Sequence, residues 1–241
     1  MLTPNTKKSN LNIKKHTKKA KKIREKLKNR LSRENEILKN ADIIFGLDNG
    51  ATGTVSCLIP YSNNEIEFYF EKTFSILEDD YQKDSQKIAR IDWKKLKNWF
   101  ENIINEAKNN YYIKYNKSEN DLKILVILER PMINADRFKQ SKNAARAFEA
   151  TLIVLEMLNL KNNYVIIDSK KWQHYFFGKN TILLDLKLES KNKAINYLNS
   201  INSQKYKNIC EIMQAHGDAD SFLICLFVFE KFYERGTNNA K

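Results

Sequence analysis

Cysteine and glycine are both scarce in this chain of 241 residues, and no apolar run is long. Each scarcity excludes something. Cys57, Cys210 and Cys225 are widely separated and set among apolar residues. They offer neither a disulfide frame nor a zinc-ligand spacing, which fits a reducing compartment. The longest apolar run, Phe222 to Phe229, falls far short of the roughly 18 residues a membrane span needs. It reads as a buried helix, and the first residues lack the apolar core of a secretory leader. Six glycines with no second Asp-x-Gly leave no glycine-rich pocket for a nucleotide cofactor.

Acidic residues are scarce in one place only. Residues 1–40 carry 14 Lys and Arg against Glu25, Glu34 and Glu36, while the other 201 residues carry 28 against 26. The formal charge of +13 therefore belongs mostly to an N-terminal arm. A basic arm on a near-neutral body suits a polyanion such as nucleic acid, or serves as a solubilising tail. Within it, Ala20, Ile23, Leu27, Leu31 and Leu38 recur near helical spacing. They predict a basic amphipathic helix over Thr17 to Asn40, after a polar and disordered start. Such a helix can lie along DNA, pair with a second copy, dock on the body or act as an address.

The body is organised around Phe45-Gly46-Leu47-Asp48-Asn49-Gly50-Ala51-Thr52-Gly53. An apolar strand ends on one carboxylate, then turns through glycines that permit close backbone approach. Asp48 is either a turn residue in an ordinary hairpin or a site carboxylate. Two later carboxylates stand in matching settings: Glu129 after an apolar strand and Asp220 at a helix start. Alternation predicts antiparallel strands over Asp42–Asp48, Thr54–Pro60 and Glu65–Thr73. Leu77 to Asp92 is polar, carries both charge signs and reads as a long surface loop.

Trp93 to Ala107 traces a helix, and Lys123–Leu128 is a strand apolar on both faces, as at a sheet centre. A helix over Asn143–Leu158, a strand over Tyr164–Ile167, a Lys-rich helix over Ser190–Asn199 and a last helix from Gly217 to Glu234 follow. Together these give an α/β fold with a mixed sheet of about five strands covered by helices. The domain runs over residues 41–236, between the arm at 1–40 and a tail at 237–241. If the first and fourth strands are neighbours, Asp48 and Glu129 meet, and the last helix adds Asp220. Clustered carboxylates repel unless a cation lies between them. Hard oxygen ligands select Mg²⁺ or Mn²⁺, and a pair of such ions hydrolyses phosphodiesters.

Gly46-Leu47-Asp48-x-Gly50-x-x-Gly53, Leu128-Glu129-Arg130-Pro131 and His216-Gly217-x-Ala219-Asp220-Ser221 resemble, in that order, the RuvC-type Holliday junction resolvases. These are ribonuclease-H-like nucleases with phage and poxvirus relatives. Lys171-Trp172-Gln173 and Ser190-Lys191-Asn192-Lys193 add weaker matches. The resemblance covers about Ile43 to Phe232 and implies a ribonuclease-H-like fold and a homodimer. It also implies cleavage of branched DNA, with two Mg²⁺ ions per site and Mn²⁺ as a substitute. Asp48, Glu129 and Asp220 would be the metal ligands, with a fourth ligand one helical turn before the last Asp. In a helix running from Gly217, His216 shares the face of Asp220, so His216 is the expected fourth residue, as ligand or base. Asp218 is then a helix-start acid, although a later helix start would bring it into the site.

Lys171, Lys191, Lys193, Arg130, Arg137 and Arg146 are the expected DNA contacts, and Trp172 is either a stacking residue or core. Such a protein would be intracellular and DNA-associated, in a bacterium, a phage-infected cell, an organelle or a nucleus. Other readings compete. An actin- or Hsp70-type ATPase needs a second domain and a second Asp-x-Gly loop. A proofreading exonuclease carries Asp-x-Glu where this chain has Gly50. A nuclease for flaps or other branched DNA, or a catalytically dead binding module, uses the same scaffold.

Overall fold

The computed structural model describes residues 38, 41–48, 50–62, 65–80, 83–116, 118, 121–131, 136, 138–179 and 185–233. The chain divides into a unit of residues 1–39 and a unit of residues 40–241. The arm helix expected over Thr17 to Asn40, apart from Leu38, and the tail at 237–241 lie outside the described residues.

The second unit is built on a five-stranded sheet. Its strands are β1 (Ile43–Leu47), β2 (Thr54–Ser62), β3 (Glu65–Lys72), β6 (Ile124–Glu129) and β7 (Tyr164–Ile167), in the order β3-β2-β1-β6-β7. β1, β2 and β3 are antiparallel neighbours, whereas β6 runs parallel to β1, and β7 parallel to β6. This is a mixed sheet, with β1 and β6 buried at its centre. Their residues are apolar on both faces because helices cover both.

One face carries Ile43, Phe45, Leu47, Cys57, Val126 and Leu128. Side chains of alternate parity share a face, so these meet two helices, α1 (Trp93–Tyr115) and α2 (Phe138–Met157). Leu96, Phe100, Ile103, Ile104 and Ala107 supply the buried stripe of α1. Asp92 starts that helix by accepting from the Lys95 N–H, and Asn116 ends it in the left-handed region. The other face takes α3 (Ser169–Phe177), α4 (Leu186–Asn202), α5 (Lys207–His216) and α6 (Asp220–Val228), which continues as a π-turn over Phe229–Tyr233. No helix among the described residues is long and apolar enough to cross a membrane.

Two elements differ from the sequence expectation. The segment expected as a loop over Leu77 to Asp92 is a hairpin, β4 (Ser75–Asp80) paired with β5 (Lys83–Ile91) as a separate two-stranded sheet. Its mixed charges are cross-strand partners, Glu78 with Arg90 and Asp79 with Lys87, and Ile88 and Ile91 bury its inner side. The last helix is two helices. Gly217 adopts φ 80° and closes α5 as a left-handed cap, so α6 begins only at Asp220.

Candidate metal centre

Sheet pairing places the first two carboxylates. Leu47 pairs in parallel with Leu128, so Asp48 and Glu129, one residue on, emerge side by side at the carboxyl ends of neighbouring strands. That end of a parallel sheet is where α/β folds open their crevices. The turn after Asp48 is tight: Gly50 N–H donates to Asp48 O at 2.8 Å and Gly53 N–H to Gly50 O at 3.1 Å. A Cβ on Gly53 would stand 2.3 Å from Asp48 O and 3.0 Å from its carboxylate carbon. Only glycine fits there.

Helix α6 brings the rest. It lies so close to β1 that a Cβ on Gly46 would meet Ser221 O at 2.5 Å and Cys225 Sγ at 2.7 Å. Small polar groups fasten the contact. The Ser56 and Ser221 hydroxyls share a buried hydrogen bond of 2.6 Å, and the Cys225 thiol donates to Ile44 O at 3.5 Å. The start of α6 is thereby pressed against the end of β1. Asp218 accepts from the Asp220 N–H at 2.9 Å, and both side chains are buried. One carboxylate oxygen from each of Asp48, Asp218 and Asp220 lies within 4.8 Å of the other two. Glu129 lines one pocket with Asp48 and Asp220, together with Arg130 and Lys187. The Trp172 indole N–H donates to Glu129 Oε1 at 3.3 Å.

Burial and mutual repulsion set the electrostatics. Asp48 is raised from 3.8 to about 6, by burial first and then by the charge of Asp218, against the pull of Lys187. Glu129 is raised from 4.5 to about 8 by burial and by the charges of Asp48 and Asp220. Asp220 is raised from 3.8 to about 7 by burial and by Asp218 and Asp48. Lys187, ion-paired to the buried Asp218, is the cation that partly offsets the cluster. Asp220 Oδ1 is buried and has no hydrogen-bond partner among the described residues. A buried carboxylate oxygen without a donor, facing two further carboxylates, fits the coordination of a hard divalent cation. Asp48, Asp218, Asp220 and Glu129 are the residues able to hold one.

The other expected residues divide. His216 ends α5, not the helix of Asp220, so the shared-face argument for it fails. Its Nε2 lies 3.2 Å from Thr52 O, beside the loop that follows Asp48. Asp218 takes the place beside Asp220, as a later helix start requires. Arg130 lines the pocket and pairs with Asp168 at 3.4 Å. Lys171 is exposed on α3 but does not line the pocket. Lys191 is buried at 9 % exposure, sharing a helix face with Ala194 and Leu198, and does not line the pocket. Lys193 is exposed and lines a second cavity with Tyr175 and Phe176. Arg146 lines a groove between α2 and the β4–β5 hairpin, with Ile88 and Trp93, and Arg137 lies outside the described residues. Trp172 is fully buried core.

Sequence reading missed Lys187 altogether. Its Lys-rich surroundings carry no mark that singles it out. The position of Asp218 did carry a signal: a glycine just past an apolar-periodic run is a helix stop, and Gly217 is that glycine.

No protein-family model matches the chain, and no curated protein matches it. Among solved structures, the chain is similar to T. thermophilus RuvC in complex with Holliday junction substrate. That match has 12% sequence identity and a TM-score of 0.40, and covers 81% of this chain and 96% of that one.

Proposed function

We propose that this chain is a divalent-metal-dependent, structure-selective endodeoxyribonuclease that resolves four-way DNA junctions by paired nicks. The observation that carries the reading is the carboxylate cluster, with three ligand oxygens mutually within 4.8 Å and Glu129 beside them. Buried acids so close together are costly without a cation. When bound, Mg²⁺ or Mn²⁺ supplies Lewis acidity for the attack of water on a phosphodiester. Asp48, Asp218, Asp220 and Glu129 hold and orient that charge, and Trp172 fixes Glu129. Arg130 stands at the rim, where a phosphate oxygen arrives.

The choice of a four-way junction rests on the ordered motifs around Asp48, Glu129 and Asp220 that resemble the RuvC-type resolvases. The same resemblance supports a homodimer, whose two sites would nick opposite strands. The basic arm supports a further, sequence-independent attraction to DNA.

The test is cleavage of a synthetic four-way junction, a flap and a linear duplex, each with Mg²⁺ and with EDTA. Symmetric nicks at the junction, lost in EDTA and in Asp48→Asn while junction binding persists, are expected. Preferential cutting of flaps or linear DNA would keep the metal nuclease and overturn the junction. Absence of cutting with any divalent metal would overturn the nuclease.

A further inference from the structure

Three helices start at the acidic pocket, and six residues along each of them a second cavity opens. Ser169, Lys187 and Asp220 line the acidic pocket. Tyr175, Lys193 and Leu226, each six positions further on, line the second cavity. Six helical residues advance ~9 Å. The second cavity has a volume of about 620 Å³, within the range of small-molecule sites.

Its chemistry is unlike that of the acidic pocket. The walls are aromatic: Tyr175 lies 5.0 Å from the Phe176 ring and 5.3 Å from Phe227, edge to face in both cases. Tyr175 nevertheless stays 41% exposed, more than a ring serving the core alone would. Lys193 Nζ stands over Phe176 at 5.6 Å. Around the walls are the amides of Asn192 and Asn196 and the carboxylates of Glu189 and Glu230. Two carboxylates disfavour a phosphate here, and the amides and carboxylates at the walls offer polar partners that a purely apolar ligand would not use. Aromatic faces bordered by amides and carboxylates suit a flat heteroaromatic ring with donors and acceptors on its edge.

From this arrangement we infer that the cavity takes one unpaired nucleobase of the strand whose phosphate lies at the carboxylate cluster. The inference rests on the nuclease reading and adds the recognition step to it. A rise of ~3.4 Å per nucleotide of strand makes the ~9 Å between the two pockets a step of two or three nucleotides. Tyr175 and Phe176 stack on the base, and Asn192 and Asn196 read its edge. Glu189 and Glu230 accept from an exocyclic amino group, which favours cytosine, adenine or guanine over thymine. Cutting would then depend on a base that the acidic cluster never touches.

The experiment is an abasic walk. Full-length Asp48→Asn protein, expected to hold DNA without cutting it, is titrated with four-way junctions carrying one abasic position moved stepwise from the crossover. One position is expected at which losing the base weakens binding about tenfold, the scale of one stacked base, and thymine there should act as the weakest base. Adding Tyr175→Ala or Asn196→Ala should flatten that profile. Asn196 is exposed, so its variant carries the test should Tyr175→Ala fail to fold. A flat walk with the pocket intact, or an unchanged walk in a folded variant, overturns the inference. Because the walk reads binding alone, its failure is separate from a failure of metal-dependent cutting.

Discussion

Trp172 sits wholly in the core, yet its indole N–H ends on Glu129 Oε1, so one side chain both packs and positions a site carboxylate. Trp172→Phe keeps an aromatic ring and loses the donor. It should weaken Mg²⁺ binding about tenfold, the lower end of what such supporting partners are worth, as read by isothermal titration. The raised carboxylates make a second prediction at this scale. Asp48, Asp220 and Glu129 stand at about 6, 7 and 8, against ordinary values of 3.8 to 4.5. Their folded values lie above their unfolded ones, so their contribution is fully present below about pH 4. It is lost as pH rises through 6 to 8. In EDTA, Asp48→Asn should therefore unfold at a higher temperature than wild type at pH 8, with the gap closing toward pH 4. With Mg²⁺ at pH 8 the order should reverse. A wild-type midpoint in EDTA that is equal to that of the variant across the range would contradict the mutual repulsion.

At the scale of elements, the docking of α6 on β1 decides whether the cluster forms. Gly46→Ala pushes a methyl group into Ser221 O and Cys225 Sγ and should cost about 1–3 kcal/mol, as overpacked cores do. Because the same shift carries Asp218 and Asp220 away from Asp48, Mg²⁺ stabilisation should fall with it. A variant as stable as wild type in urea would show that α6 does not lie this close. Much of this element structure was legible. β1, β2, β3, β6 and β7 follow from alternation, and from apolar runs that only a sheet centre can bury. The hairpin β4–β5 was not legible, because its partners are charges that pair across strands, and charged runs read as loops when each is taken alone. The break between α5 and α6 was legible in Gly217 but outweighed by apolar periodicity on both sides. That is how His216 came to be expected in the place Asp218 occupies.

At the scale of the whole molecule, charge is separated from chemistry. The arm holds a net +11 of the +13, by 14 basic against 3 acidic residues, while the carboxylates are gathered in the body. Deleting residues 1–40 should weaken junction binding and flatten its dependence on salt, since fewer counterions are released. An unchanged slope of log K against log salt would remove the arm from the DNA contact. Asp48 and Glu129 were legible because each ends an apolar strand. Their union with Asp218 and Asp220 depends on strand order and on the Gly46 contact, which no local pattern encodes.

The most direct measurement is calorimetric titration of Mg²⁺, and separately Mn²⁺, into wild type, Asp48→Asn, Asp218→Asn and His216→Ala at pH 8. Saturable binding by wild type and His216→Ala, abolished or weakened at least tenfold in the two Asp variants, is the predicted result. Wild type that takes up no divalent ion, or an Asp218→Asn protein that binds as tightly as wild type, would contradict a metal centre built on Asp48 and Asp218.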